Sequence, residues 1–181
     1  DFGAKRNIAQ ELAKRGCDVT IVPASATADE ILQHNPNGIM LSNGPGDPAE
    51  NTGIIQELSK LCKASVPIFG ICLGHQLLAL ACGGETMKLK YGHRGANQPV
   101  QETESKKVYI TSQNHGYAVK TGDHLPKNAR ESFVNLNDGT CEGMEYLDIP
   151  AFSVQFHPEA CAGPLDTRYL FDRFVARMDA A

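Results

Sequence analysis

The sequence predicts an α/β fold built on one open, mostly parallel sheet with helices on both faces. Two observations carry this. Helical and strand patterns alternate through the first half of the chain, and the strand segments are short, continuous apolar runs of the kind buried on both sides. The chain has 181 residues, 41% of them hydrophobic, which suits one domain with a substantial core. Residues 1–181 are therefore expected to form a single domain.

The elements follow in order. Lys5 to Arg15 places Ile8, Ala9, Leu12 and Ala13 on one helical face, and Gly16 stops the helix. Val19 to Val22 is a short β-branched run and is expected to be a buried strand. Thr27-Ala28-Asp29-Glu30 matches a capping box and opens a helix to about Gln33. Ile39 to Leu41 is a second strand, followed by the loop Ser42 to Pro48. Thr52 to Lys63 reads as a helix with Ile54, Ile55, Leu58 and Leu61 inward. Val66 to Ile71 is a third strand, with a helix after it marked by Leu77, Leu78, Leu80 and Ala81 and ended by Gly83-Gly84. The second half is richer in strand candidates: Val108 to Thr111, Ala118-Val119, Phe133-Val134 and Ala151 to Phe156. Leu165 to Met178 has the pattern of a closing amphipathic helix.

Charge and composition exclude several classes. Lys plus Arg is 17 and Asp plus Glu is 21, a net charge of −4. That mild acidity argues against a protein held to nucleic acid by phosphate contacts. No run approaches the roughly 18 apolar residues of a membrane helix, and no signal peptide is visible. The first residue is Asp1, and Asp1-Phe2-Gly3 reads like a strand end, so a domain cut from a longer protein is expected. The six cysteines show neither a CxxC nor a zinc-type Cys/His spacing. Five of them read as small thiols in a reducing compartment.

The sixth, Cys72, sits in Gly70-Ile71-Cys72-Leu73-Gly74, where a buried strand meets a helix. This is the cysteine version of a nucleophile elbow. A sharp turn there exposes the thiol at the carboxyl edge of the sheet, and the helix N-terminus favours thiolate. The same five residues also suit a core cysteine at a glycine-rich strand end. A thiol nucleophile needs a base and the base an orienter. His157-Pro158-Glu159 follows the strand Ala151 to Phe156, and strand ends on that edge converge on one crevice. Pro158 stiffens the turn, and Glu159 is placed to fix the imidazole tautomer. A surface histidine beside a proline turn would have the same local sequence. Gly44-Pro45-Gly46-Asp47-Pro48 is a rigid turn past a buried strand, with backbone N–H groups suited to an oxyanion. No phosphate-binding loop is present. His75 reads as structural, His115 as a loop-positioning residue, and His93-Arg94 as a polar surface or partner-facing turn. Lys88-Leu89-Lys90 and Lys106-Lys107 read as solvated faces. Cys161 lies near His157 in sequence and has no assigned role.

Taken together, Gly70 to Gln76, Asn43 to Pro48 and His157-Pro158-Glu159 resemble the class I (triad) glutamine amidotransferases. Asp1 to Asn7, Leu41 to Pro48, Ser112 to Val119 and Gln155 to Ala160 look like the small, glutaminase subunits of carbamoyl phosphate synthetases, almost end to end. The resemblance implies a flavodoxin-like fold in which Cys72 attacks the side-chain amide of L-glutamine. His157 then relays protons and Glu159 orients it. The N–H groups of Leu73 and Gly44 form the oxyanion hole, and Gly44, Gly46, Leu73, Gln76, Asn114, Gly116 and Tyr117 contact the substrate. Tyr117 departs from the Phe frequent there, and its hydroxyl is expected to matter little.

The resemblance further implies a cytoplasmic protein that supplies ammonia to a carbamoyl phosphate synthetase large subunit, for pyrimidine or arginine synthesis. No metal or cofactor is expected in this domain, with ATP and Mg confined to that partner, and no nucleic acid or membrane is involved. Three alternatives stand beside it. One is a glutaminase domain of another synthase (anthranilate or GMP). The second is a catalytically silent docking module, and the third is a nucleotide-binding module.

Overall fold

The structure is a computed structural model and describes residues 1–160 and 165–181. Cys161 lies outside the described residues. Five α-helices and seven strands are present among the described residues: α1 Arg6–Ala13, α2 Ala28–Gln33, β1 Ile39–Leu41, α3 Thr52–Leu61, β2 Ile68–Ile71, α4 Leu73–Ala81, β3 Thr86–Glu102, β4 Val108–Val119, β5 Ala129–Asn135, β6 Cys141–Tyr146, β7 Ala151–Val154 and α5 Tyr169–Asp179. The strands form one sheet in the order β1-β2-β7-β6-β5-β3-β4.

The open α/β architecture follows the sequence. β1 pairs with β2 in parallel, and β2 with β7. The remaining pairings, β7-β6, β6-β5, β5-β3 and β3-β4, are antiparallel. The expectation of a mostly parallel sheet gives way to a mixed one, because the strands of the second half follow one another through short turns rather than helical crossovers; parallel pairing is confined to β1, β2 and β7, two of which lead into Cys72 and His157. These two are also the most completely buried: every residue of β2 and β7 is buried.

Each face of the sheet carries its own core. On one face Phe69 of β2 stacks on Phe152 of β7, ring centroids 4.4 Å apart, and α5 adds Phe171 and Phe174 edge-on or tilted against Phe69. Ile8 and Leu12 of α1 complete that layer. On the other face Leu58 and Leu61 of α3 pack with Leu77 and Leu78 of α4. Each of these fully buried side chains contributes about 1.5–3 kcal/mol of hydrophobic transfer.

Local signals account for several boundaries. α2 begins at a complete capping box: Thr27 Oγ1 accepts from the Glu30 N–H, and Glu30 Oε2 accepts from the Thr27 N–H. α1 ends before Gly16, which sits at φ 83°.

Three expectations are corrected. Val19 to Val22 is not a strand: no neighbouring strand pairs with it, Ile21 is 65% exposed, and Val22 O accepts from the Asp1 ammonium. A β-branched run needs a partner edge to become a strand, and here it faces a cleft of about 790 Å³ that separates it from β1. Ala118-Val119 is the end of β4, not a strand of its own. β3 and β6 had no expected counterpart. β3 is long, polar and mostly half-buried or exposed, and its register against β4 shifts twice around Gly92 and Gly95, which erases any clean alternation.

Candidate active site

The parallel pairing of β2 and β7 sets Ile71 opposite Val154. Both chains then leave the sheet at the same edge, β2 into Cys72 and β7 into Gln155, Phe156 and His157. The Cys72 N–H donates to Val154 O at 2.9 Å, which ties the two exits together. This is the crevice position typical of open α/β sheets.

Cys72 adopts φ 54°, ψ −105°. A non-glycine residue in that region costs on the order of 1–3 kcal/mol, a strain characteristic of functional turns. Gly74 makes the turn possible. A Cβ there would lie 2.3 Å from Leu41 O, so only glycine lets α4 start against β1. The Gly74 N–H donates to Ser42 O at 3.1 Å across the same contact.

Cys72, His157 and Glu159 are all buried. His157 Nδ1 donates to Glu159 Oε1 at 2.6 Å, and the ring lines the same pocket as the Cys72 thiol. Burial alone pushes this imidazole down. The neighbouring Cys72 and Glu159 outweigh burial and raise it to about 9. Glu159 is held in turn by Asn7 of α1, whose Nδ2 donates to Glu159 O, and Lys5 Nζ lies 3.9 Å from its carboxylate. The expected nucleophile, base and orienter are therefore brought together.

Above them is a pocket of about 600 Å³. Gly44, Gly46, Gln76, Asn114, Gly116 and Tyr117 line it with Cys72 and His157. Leu73 does not line it: its side chain is buried, and only its N–H, one of the unpaired donors of the first turn of α4, is available to a ligand at Cys72. Gly44 is pressed against Phe2 and Leu73. A Cβ there would lie 2.3 Å from Phe2 O and 2.8 Å from Leu73 Cδ2, so the loop backbone approaches the start of α4. Gln76 spends its Nε2 on Tyr117 O and Gln155 Oε1, leaving Oε1 as its group to offer a ligand.

Sequence reasoning missed four contributors. Gln155 is fully buried, and its Nε2 donates to Cys72 Sγ at 3.6 Å. Its signal was its place two residues before His157 on the same strand exit. Lys5, Lys88 and Arg94 bring cations to the pocket wall. They come from separate stretches of the chain, so nothing in the local sequence marks them.

The remaining histidines resolve as follows. His75 is fully buried, bonded through Nδ1 to Ser153 Oγ at 2.8 Å, and burial holds it down at about 3, which fits a structural role. His115 lies within β4 and not in a loop. His93 is not on a surface turn. It is buried within β3, with its ring against His115, Asp138 and Glu142, while Arg94 beside it is exposed. Among the described residues, Cys17, Cys62, Cys72, Cys82 and Cys141 are all free thiols, and no helix is long and apolar enough to cross a membrane.

Comparison with known proteins bears on this arrangement. The family profile "Glutamine amidotransferase class-I" matches residues 1–177. The carbamoyl phosphate synthase small chain of Symbiobacterium thermophilum is 54% identical over 180 residues, which is 99% of this chain and 49% of that one. The protein of the same name from Syntrophotalea carbinolica is 56% identical over 179 residues, 99% of this chain and 47% of that one. The chain thus spans about half the length of the curated relatives it matches. Two solved structures share the fold. One, from Thermoplasma acidophilum, is described as a GMP synthase component (TM-score 0.86, 23% identity, 99% of this chain and 92% of that one). The other is a glutamine amidotransferase of Thermotoga maritima (TM-score 0.68, 19% identity, 99% and 79%).

Proposed function

The chain belongs to the class-I glutamine amidotransferase family, and from that premise we propose that it hydrolyses the side-chain amide of L-glutamine through a thioester on Cys72. The observation that carries this reading is that Cys72 shares a pocket of about 600 Å³ with His157, whose Nδ1 is bonded to Glu159.

The chemistry follows from the groups present. The Cys72 sulfur attacks the amide carbon. The developing oxyanion takes hydrogen bonds from the N–H groups of Leu73 and Gly44. His157, held in one tautomer by Glu159, protonates the departing nitrogen, so ammonia leaves and a γ-glutamyl thioester remains. With its proton gone, His157 activates water, which attacks the thioester and releases glutamate and the thiol. No step calls on a metal or cofactor. Gly46, Gln76, Asn114, Gly116 and Tyr117 would bound the substrate. Lys5, Lys88 and Arg94 would serve its α-carboxylate, and Asp47 its ammonium group.

Two finer assignments belong to the same proposal. The names of the relatives support delivery of the ammonia to a carbamoyl phosphate synthetase large subunit, where ATP and Mg would be used. The free thiols support a reducing, cytoplasmic setting.

The test is alkylation of the protein by a glutamine-like chloroketone, mapped by mass spectrometry with and without excess glutamine. Stoichiometric label on Cys72 that glutamine blocks is the expected result. Label spread over several cysteines, or none, would overturn the glutaminase reading in favour of a docking module. Co-purification would separate a carbamoyl phosphate synthetase partner from an anthranilate or GMP synthase.

A further inference from the structure

Beneath the pocket, His93 of β3, His115 of β4 and Glu142 of β6 converge, all buried, with one ligand atom of each within 4.8 Å of the other two. His115 Nε2 and Glu142 Oε1 lie 3.2 Å and 3.3 Å from His93 Nδ1. Gln113 Oε1 is 2.8 Å from His115 Nε2.

Acceptor atoms crowd together in this cluster. His115 Nδ1 faces Tyr117 O at 2.7 Å and its Nε2 faces Gln113 Oε1. A neutral imidazole has one N–H, so one of these contacts sets a lone pair against an oxygen. Turning the Gln113 amide over does not help. Its nitrogen donates to Glu142 Oε2 at 2.9 Å, and an oxygen there would face a carboxylate.

We propose that this cluster is a binding site for a divalent transition metal ion of the zinc type, with His93 Nδ1, His115 Nε2 and Glu142 Oε1 as ligands and a water as the fourth. Zinc bonds of about 2.0–2.1 Å at tetrahedral angles set ligand atoms roughly 3.3–3.4 Å apart; the His93–His115 and His93–Glu142 pairs are 3.2 and 3.3 Å apart, and the third pair lies within 4.8 Å. Two nitrogens and a carboxylate oxygen are donors that zinc and cobalt accept.

The surroundings match an outer shell. The other nitrogen of each histidine donates to an oxygen, His93 Nε2 to Asp138 Oδ2 at 2.7 Å and His115 Nδ1 to Tyr117 O. The Asn135 Nδ2 donates to Glu142 Oε1 at 2.9 Å. The ion would tie β3 and β6 to β4, the strand that carries Asn114, Gly116 and Tyr117 at the pocket. The site neither requires nor excludes the glutaminase chemistry.

The test uses the full chain, in wild type and in a Cys72→Ser background that removes the active-site thiol as a competing ligand. Each protein is stripped with chelator, loaded with Co²⁺ or Zn²⁺, desalted, and analysed for metal content and visible absorption. One ion per chain in both backgrounds, with a four-coordinate cobalt spectrum, is expected. Asp138→Asn, at a half-exposed position, should weaken retention about 10–100-fold, and Glu142→Gln should abolish it. The proposal is overturned if no stoichiometric ion is retained, if Cys72→Ser alone removes it, or if Asp138→Asn binds as tightly as wild type.

Discussion

Replacing Gly74 by Ala is a one-atom probe of the elbow. The added Cβ would sit 2.3 Å from Leu41 O and 2.7 Å from both the carbonyl carbon and Cβ of Leu41. Two of these three atoms are backbone, so no side chain can swing away. Restoring ordinary contact requires α4 to retreat from β1 by about 1 Å, because interiors are close-packed and share such strain poorly. That movement breaks the Gly74 N–H to Ser42 O bond and carries Cys72 off its line to His157. A displacement of that size costs about 100-fold in rate, equivalent to about 2.7 kcal/mol of barrier. Overpacking costs a further 1–3 kcal/mol of stability, roughly, or about 2–4 °C of Tm per kcal/mol at this chain length. The assay is the second-order rate of Cys72 alkylation by the glutamine-like chloroketone, beside thermal unfolding. Gly53→Ala in α3 is the control: nothing lies within 4 Å of its Cβ position, and stability should hold or rise by about 0.4–1 kcal/mol. A Gly74→Ala protein that alkylates within about threefold of wild type, with unchanged Tm, would refute the close-approach reasoning and the 1 Å estimate behind it.

Glu159→Gln should lower glutamine hydrolysis by about 10²–10⁴-fold, as expected when general acid–base catalysis fails. In single-turnover pH profiles its alkaline limb should also fall below the wild-type value near 9. Stability carries the same signature: His157 is raised to about 9 in the folded protein, against 6.5 unfolded. The folded state therefore holds the extra proton, and its contribution, on the order of 3 kcal/mol, is complete below pH 6.5 and lost as pH rises through 9. Melting curves at intervals across that window should show the loss in wild type and a smaller one in Glu159→Gln. His75 has the opposite sign. Burial lowers it to about 3, so the unfolded chain binds the proton first, and stability is full above pH 6.5 and falls as the pH drops toward 3. His75→Asn should flatten that acid-side decline in Tm. Tyr117→Phe should change the alkylation rate by less than about threefold, because the backbone of this residue, not its ring oxygen, holds Gln76.

Much of the site was legible because its signals are local. Cys72 between Gly70 and Gly74, and His157 two residues before Glu159, each announce a function within five residues. The α2 capping box was equally local and was observed as expected. Sequence reasoning failed where pairing decides structure. Val19 to Val22 has strand composition but meets no partner edge, whereas β3 has weak strand composition and is held in place by β4 and β5.

By itself the sequence determined the chemistry available: a thiol on a sharp strand-to-helix turn, an imidazole beside a carboxylate, and backbone donors in a rigid glycine–proline loop. These depend on neighbours along the chain, which the order of residues states directly. Only the tertiary structure decided which of those groups meet. The parallel β2–β7 register delivers Cys72 and His157 to one edge, and Asn7 of α1 braces Glu159 from 152 residues away. Three strands with antiparallel neighbours gather His93, His115 and Glu142 beneath the pocket with no spacing that marks them. Contacts of that kind arise from strand pairing and close packing, and no short window of sequence contains them.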